Sequence, residues 1–153
     1  MKRVCEHGRI NGKVSPLCGN WTLYESLKGI SEANGVPFSI ALGITYAESH
    51  IGVNYAGTCD ASFNNWGGVK WRIGYDGTAI KDQPVPVKYN GGSCWLYRFG
   101  SVEDYWASKM RTLSKYRSCF SQAKPITCIS YKYVGDADVA ETSWINRVAL
   151  ISE

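Results

Sequence analysis

A chain of 153 residues, 44% hydrophobic and 20% charged, is long enough for one globular domain with a sizeable core, and this composition excludes a disordered segment or a repeat array. The net charge of +4 is carried by basic residues spread along the sequence, with no dense Lys/Arg run, which argues against nucleic acid as a partner. Mild basicity suits anionic polymers in general, including those of bacterial envelopes, without choosing among them.

Residues 1–20 have no period and contain Gly8, Gly12, Pro16 and Gly19, so they are predicted to form an irregular, cysteine-containing arm ahead of one folded domain over 21–153. Thr22-x-x-Glu25 has capping-box form, Leu23, Leu27 and Ile30 repeat at i, i+4 and i+7, and Asn34-Gly35 supplies a stop, which predicts a first helix. Pro37 suits the first turn of a second helix running through Phe38-Ser-Ile-Ala-Leu-Gly-Ile-Thr-Tyr-Ala-Glu-Ser-His50. There Ile40, Ile44, Ala47 and Ile51 form an apolar stripe, and Glu48 falls on it four residues after Ile44. Burial disfavours an ionised carboxyl, so an acid so placed can keep and donate a proton. The plainer alternative is a glutamate at a helix end turned into solvent.

From Trp71 to Phe99, short runs bounded by Asp76-Gly77 and Asn90-Gly91, dipeptides favoured in two-residue hairpin turns, predict a small β lobe. Ser101-x-x-Asp104 opens another helix with Val102, Trp106, Met110 and Leu113 on one face, acids in its first turn and Lys115 near its end. After a less readable stretch, Asp138-x-x-Glu141 starts a last helix with Trp144, Val148 and Ile151 on one face. A mainly helical body with an inserted hairpin lobe is an α+β fold.

Cysteines at 5, 18, 59, 94, 119 and 128 are many for a cytosolic chain of this size and even in number, which predicts disulfides. Six cysteines allow about 15 pairings, and locality favours Cys5 with Cys18 and Cys119 with Cys128. No C-x-x-C spacing occurs and only His7 and His50 are available, so no metal or other cofactor is expected, although Cys5, His7 and Cys18 are formally a ligand set. Met1-Lys-Arg is followed by no apolar run, so no secretory signal and no membrane span is predicted. An oxidised chain lacking such a signal is expected to leave the cytoplasm by another route: as a mature fragment, by release through another factor, or within a larger envelope or phage particle.

The run Ala47-Glu-Ser49 followed by Asn64-Asn-Trp-Gly-Gly-Val-Lys70 resembles the glucosaminidase family of peptidoglycan hydrolases, seen in autolysins and in the flagellar wall-cutting domain. Tyr97-Arg-Phe-Gly-Ser-Val-Glu-Asp-Tyr105 is similar to that family's aromatic, Ser, acidic, Asp-Tyr helix entry. Ser114-Lys-Tyr-Arg117 and Tyr133-Val-Gly-Asp-Ala-Asp-Val-Ala140 resemble two later segments, and the motifs keep the family's order over residues 22–153. The resemblance implies a lysozyme-like fold whose β lobe borders the substrate cleft, Glu48 as proton donor to the glycosidic oxygen, Tyr133 beside the reacting sugar, and glycan strands of the cell wall as partner of a monomer. Gly67 stands where the family carries a bulkier residue, Val139 where it carries Tyr, and the arm before residue 20 has no counterpart.

Glycoside hydrolysis normally employs two carboxyls, about 5 Å apart for retention or roughly 6.5–9.5 Å for inversion. Asp76 is a candidate for the second, though its hairpin turn explains it more simply, with Asp60 and Asp82 as further candidates. Without one, water activation falls to Tyr133 and to substrate assistance by an N-acetyl group, or the reaction is that of a lytic transglycosylase. Trp66, Trp71, Tyr75, Trp95 and Tyr97 are rings suited to sugar faces or, equally, to the core. Asn64, Asn65 and Gly68 are placed to meet acetamido groups or to shape a turn, and Lys70 to hold the loop by a charge pair. The expected activity is endo-β-N-acetylglucosaminidase; muramidase and transglycosylase use the same Glu48. The rival from another class is a non-catalytic wall-binding or virion structural domain.

Overall fold

The computed structural model describes residues 1–53, 64–67, 85–89, 92–96, 99–133 and 138–152, with 85–89, 92–96 and 138–142 described by their backbone. These residues are mostly helical and include two small antiparallel hairpins, an α+β arrangement.

The first twenty residues are more regular than their glycine and proline content predicts. Helix α1 (Lys2–His7) leads into strands β1 (Arg9–Ile10) and β2 (Lys13–Val14), paired Arg9 to Val14 and Ile10 to Lys13. Between them Asn11 and Gly12 have φ of 48° and 78°, the left-handed pair that a two-residue hairpin needs, so Asn11-Gly12 is the local signal for this turn. A Cys5–Cys18 disulfide closes the segment, and Val4 and Leu17 are buried with the main core. The segment is therefore packed into the body through its own apolar side chains.

Helix α2 (Trp21–Ala33) starts one residue ahead of the expected capping box. Asn20 is its cap: Asn20 Oδ1 accepts from the Leu23 amide at 3.0 Å, and Thr22 and Glu25 lie within the helix. Leu27 is fully buried, Leu23 and Ile30 pack at the core's margin, and Gly35 at φ 64° follows the end of the helix. Helix α3 (Phe38–Ser49) follows Pro37 and is buried continuously from Ile40 to Thr45, so protein surrounds it where a single apolar stripe was expected. Its Gly43 meets helix α7 (Asp138–Ser152), where a Cβ would collide with the Val148 carbonyl; the missing side chain lets the two backbones approach.

Strands β3 (Val85–Tyr89) and β4 (Gly92–Leu96) pair Val85 with Leu96 and Tyr89 with Gly92. That register leaves Asn90-Gly91 between them, as the sequence predicts. The Asp76-Gly77 turn lies outside the described residues.

Helix α4 (Val102–Leu113) obeys its sequence closely: Ser101 Oγ accepts from the Asp104 amide at 3.0 Å, Glu103 and Asp104 occupy the first turn, and Trp106, Met110 and Leu113 are buried. Trp106 Nε1 donates to Ser31 Oγ at 2.8 Å, fastening α4 to α2. The stretch without a sequence signal contains a 3-10 turn (Ser114–Tyr116), α5 (Arg117–Phe120) and α6 (Pro125–Tyr133), with α5 and α6 joined by a Cys119–Cys128 disulfide. Helix α7 buries Val148 and Ile151 as predicted. No helix among the described residues is long and apolar enough to cross a membrane.

Candidate active site

Glu48 sits in the last turn of α3, its side chain 18% exposed. The helix ends one residue later in an unusual way: His50, Ile51 and Gly52 have φ of 51°, 56° and 76°, three left-handed residues in succession. A β-branched residue there costs on the order of 1–3 kcal/mol and persists only when its surroundings fix it. Several contacts do so. Ser15 Oγ donates to the Ile51 carbonyl at 2.7 Å in a buried contact, and Ser49 Oγ accepts from the Gly52 amide at 3.0 Å. Gly52 also gives Trp66 room, since a Cβ there would stand 2.5 Å from the indole ring. The N-terminal segment thus braces the turn that follows the acid.

Two residues from other helices close on the carboxylate. Tyr133, the last residue of α6, donates from its hydroxyl to Glu48 Oε1 at 2.8 Å across a sequence separation of 85. Lys109, from the middle of α4, donates from Nζ to Glu48 Oε2 at 2.5 Å and to the Tyr133 hydroxyl at 2.7 Å. Its Nζ also lies 5.0 Å from the centre of the Tyr133 ring. The Lys109 side chain is only 3% exposed. A buried ammonium is strongly penalised unless paired, and removal of one partner of such a pair typically costs about 3–5 kcal/mol. The apolar setting expected for Glu48 therefore contains an ammonium, and both carboxylate oxygens accept hydrogen bonds.

Gly67 completes the enclosure. A Cβ on it would stand 2.6 Å from both Glu48 Oε2 and the Tyr105 hydroxyl, and 3.4 Å from Lys109 Nζ, so a larger residue at 67 would push into the pair. The Tyr105 hydroxyl is fully buried and, among the described residues, has no partner within hydrogen-bond geometry. Burial holds this phenol above the ordinary tyrosine range, Lys109 opposes the rise, and Glu48 and Tyr133 add to it. Thr45 opposes it too, although the Thr45 hydroxyl itself donates to the Ala41 carbonyl at 2.9 Å. Around Tyr133 the rings of Tyr116 and Trp144 lie 6.0 and 6.2 Å away, centre to centre.

The structure brings Glu48 and Tyr133 together, and of the two parts the sequence leaves open to the intervening motif, Asn64 and Trp66 take the structural one. Asn64, at φ 50°, donates from Nδ2 to the Phe99 carbonyl at 3.0 Å. Asn65 and Trp66 are 2% and 1% exposed, and Trp66 belongs to the core. Trp66 packs beside Gly52 and within the core, which closes its ring to a sugar. Gly68, Trp71, Asp76 and Tyr97 lie outside the described residues, as do Asp60, Lys70, Tyr75, Asp82 and the Trp95 side chain. Lys109 is a site residue that no motif contains, and Tyr105, the last residue of the Asp-Tyr helix entry, has no site role assigned to it by that motif. A signal existed, since Tyr105, Lys109 and Leu113 follow one another at i+4 on α4, placing a charge on an apolar face just as Glu48 is placed on α3.

Among the described residues no cluster of three metal-ligating side chains occurs. No family model, no curated protein and no solved structure matches this chain.

Proposed function

We propose that this chain cleaves the glycan strand of bacterial peptidoglycan, with a lysozyme-like fold and Glu48 as the group that delivers a proton to the glycosidic oxygen. One observation carries the reading: Glu48 and Tyr133, paired by the resemblance to glucosaminidases, share a hydrogen bond of 2.8 Å although they come from helices 85 residues apart. A partly exposed carboxyl beside a tyrosine hydroxyl can pass a proton to a leaving oxygen, a contribution of about 10²–10⁴-fold to the rate. The expected bond is that of an endo-β-N-acetylglucosaminidase. Muramidase and lytic transglycosylase remain alternatives with the same Glu48, and the released ends separate the three: reducing N-acetylglucosamine, reducing N-acetylmuramic acid or anhydro-muramic acid. Asp76 is the candidate for a second carboxyl. The two disulfides support a setting outside the cytoplasm, at the cell wall or in a particle that reaches it.

The second reading, a wall-binding or virion structural domain without activity, is favoured by a specific observation. Both Glu48 oxygens are already engaged by protein donors. Release of reducing ends from purified sacculi decides between them. Glu48→Gln is expected to lower release per folded molecule by at least about 10²-fold, and to lower the melting temperature as well because it removes the charge partner of buried Lys109. Undiminished release by that variant ends the catalytic role, and binding without release by the parent chain favours the structural one.

A further inference from the structure

A lysine in the interior demands an explanation, because a hydrophobic side chain of similar volume normally serves packing better than a buried ion pair. Lys109 emerges from α4 among Tyr105, Trp106, Met110 and Leu113, all fully buried, yet its ammonium ends on the Glu48 and Tyr133 oxygens. Pairing across 61 residues holds together α3, α4 and α6 around a Glu48 that is partly open to solvent. Among the described residues the titratable groups facing the pair are Tyr105 from α4 and Tyr133 from α6, with Tyr116 packed behind Tyr133. Among these Lys109 alone brings a positive charge and a proton that an ordinary base accepts near neutrality once water is excluded.

We propose that Lys109 is a positioning residue that stores the proton Glu48 delivers, an assignment resting on the glycan-cleaving reading of the site. In the open site Lys109 Nζ is the donor and Glu48 Oε2 the acceptor. A sugar covering the exposed edge of Glu48 removes the water that still stabilises the carboxylate beside an already buried Lys109, and the neutral pair, amine and carboxylic acid, becomes the favoured form of the same proton count. The Nζ–H bond breaks as Oε2–H forms. The proton on Glu48 then passes to the glycosidic oxygen as the bond from the anomeric carbon to that oxygen breaks, the electron pair leaving with the oxygen. Water, or an internal hydroxyl in the transglycosylase variant, adds to the anomeric carbon. Its proton returns to the Glu48 carboxylate and from there to the Lys109 amine. Charge and protons balance over the cycle, and Tyr133, which accepts from Lys109 and donates to Glu48, keeps the two in register.

The test is the pH dependence of fragment release from purified sacculi by the parent chain, Lys109→Met and Lys109→Arg, with a melting curve for each. A proton shared by the pair keeps the parent active above about pH 7, well beyond the range of an isolated glutamic acid near 4.3. Lys109→Met leaves Glu48 dependent on its own proton, so its alkaline limb is expected to move to lower pH. A lysine that merely holds Glu48 ionised predicts a move in the opposite direction. Lys109→Arg keeps the charge but cannot release the proton, and is expected to lose about 10²-fold or more at neutral pH. An unmoved or raised limb in Lys109→Met, or parent-like activity in Lys109→Arg, overturns the proposal while leaving glycan cleavage standing. If both variants unfold, the parent profile decides, and activity confined to the range of an isolated carboxyl overturns the proposal. A parent chain that releases nothing at any pH instead removes the glycan-cleaving reading, and the relay with it.

Discussion

Helices α3 and α4 each deliver one member of the buried ion pair, and they do so by opposite means. α4 begins on a serine cap, carries acids in its first turn, and runs regularly on into a 3-10 turn. α3 has no side-chain cap, is surrounded by protein, and ends in three left-handed residues directly after the acid. The lysine rides on a helix whose own sequence stabilises it, whereas the glutamate rides on one whose end is held by distant contacts from Ser15 and Trp66. Backbone strain concentrated beside one charged group, with regular structure under the other, is the distribution expected when geometry at the acid is fixed at some cost in stability.

The largest effect on this contrast is expected from Gly52→Ala. At φ 76° an added Cβ is strained, and it would also stand 2.5 Å from the Trp66 ring. Together these cost about 3 kcal/mol, which lowers the melting temperature by roughly 6–12 °C for a domain of this size. Fragment release should fall further than the remaining folded fraction accounts for, because the turn sets the direction of Glu48. A variant as stable and active as the parent would show that the left-handed turn is incidental to the acid.

What the sequence revealed of these two helices follows the same division. α4 is legible from a serine cap with an acid three residues on, and both α4 and α7 from apolar residues at helical spacing that agree with the burial observed. At the start of α2, Thr22 and Glu25 match a capping box by spacing alone, while Asn20, two residues earlier, makes the actual bond. α5 and α6 are too short for periodicity to emerge, and the Cys119–Cys128 disulfide joins them by a contact that sequence spacing only hinted at. At the site, Glu48 could be singled out from its stripe and Tyr133 from a family resemblance. Lys109 is not singled out in the same way, because a lysine between two apolar residues is normally a stem lying along the surface with its head in water. Only the partner, 61 residues away, shows that the head is inside. The bracing of the Glu48 turn by Ser15 is likewise a tertiary contact with no local signature.

A smaller change is expected at the start of α4. Ser101→Ala removes the acceptor of the Asp104 amide and should cost about 1 kcal/mol, a melting shift of roughly 2–4 °C. Fragment release per folded molecule should stay near the parent value, since Trp106 and Met110 still anchor the helix that carries Lys109. Loss of release beyond the folded fraction would mean that α4, too, depends on its end for the geometry of the site.

The smallest effect concerns His50, the first of the left-handed residues. Burial, and secondarily the positive charge of Arg147, lower its proton affinity in the folded state relative to the ordinary histidine value of 6.5. The unfolded chain therefore binds more protons than the folded chain over the interval just below pH 6.5, so stability rises with pH through that interval. Acidification from about pH 7 should lower the melting temperature before most carboxylates begin to titrate. His50→Asn keeps a residue that tolerates the left-handed conformation and removes the titrating ring, so its melting temperature should change less over the same range. If the parent and His50→Asn curves run parallel, the acid sensitivity of the turn after Glu48 has another source, and the strain there is independent of the histidine's charge.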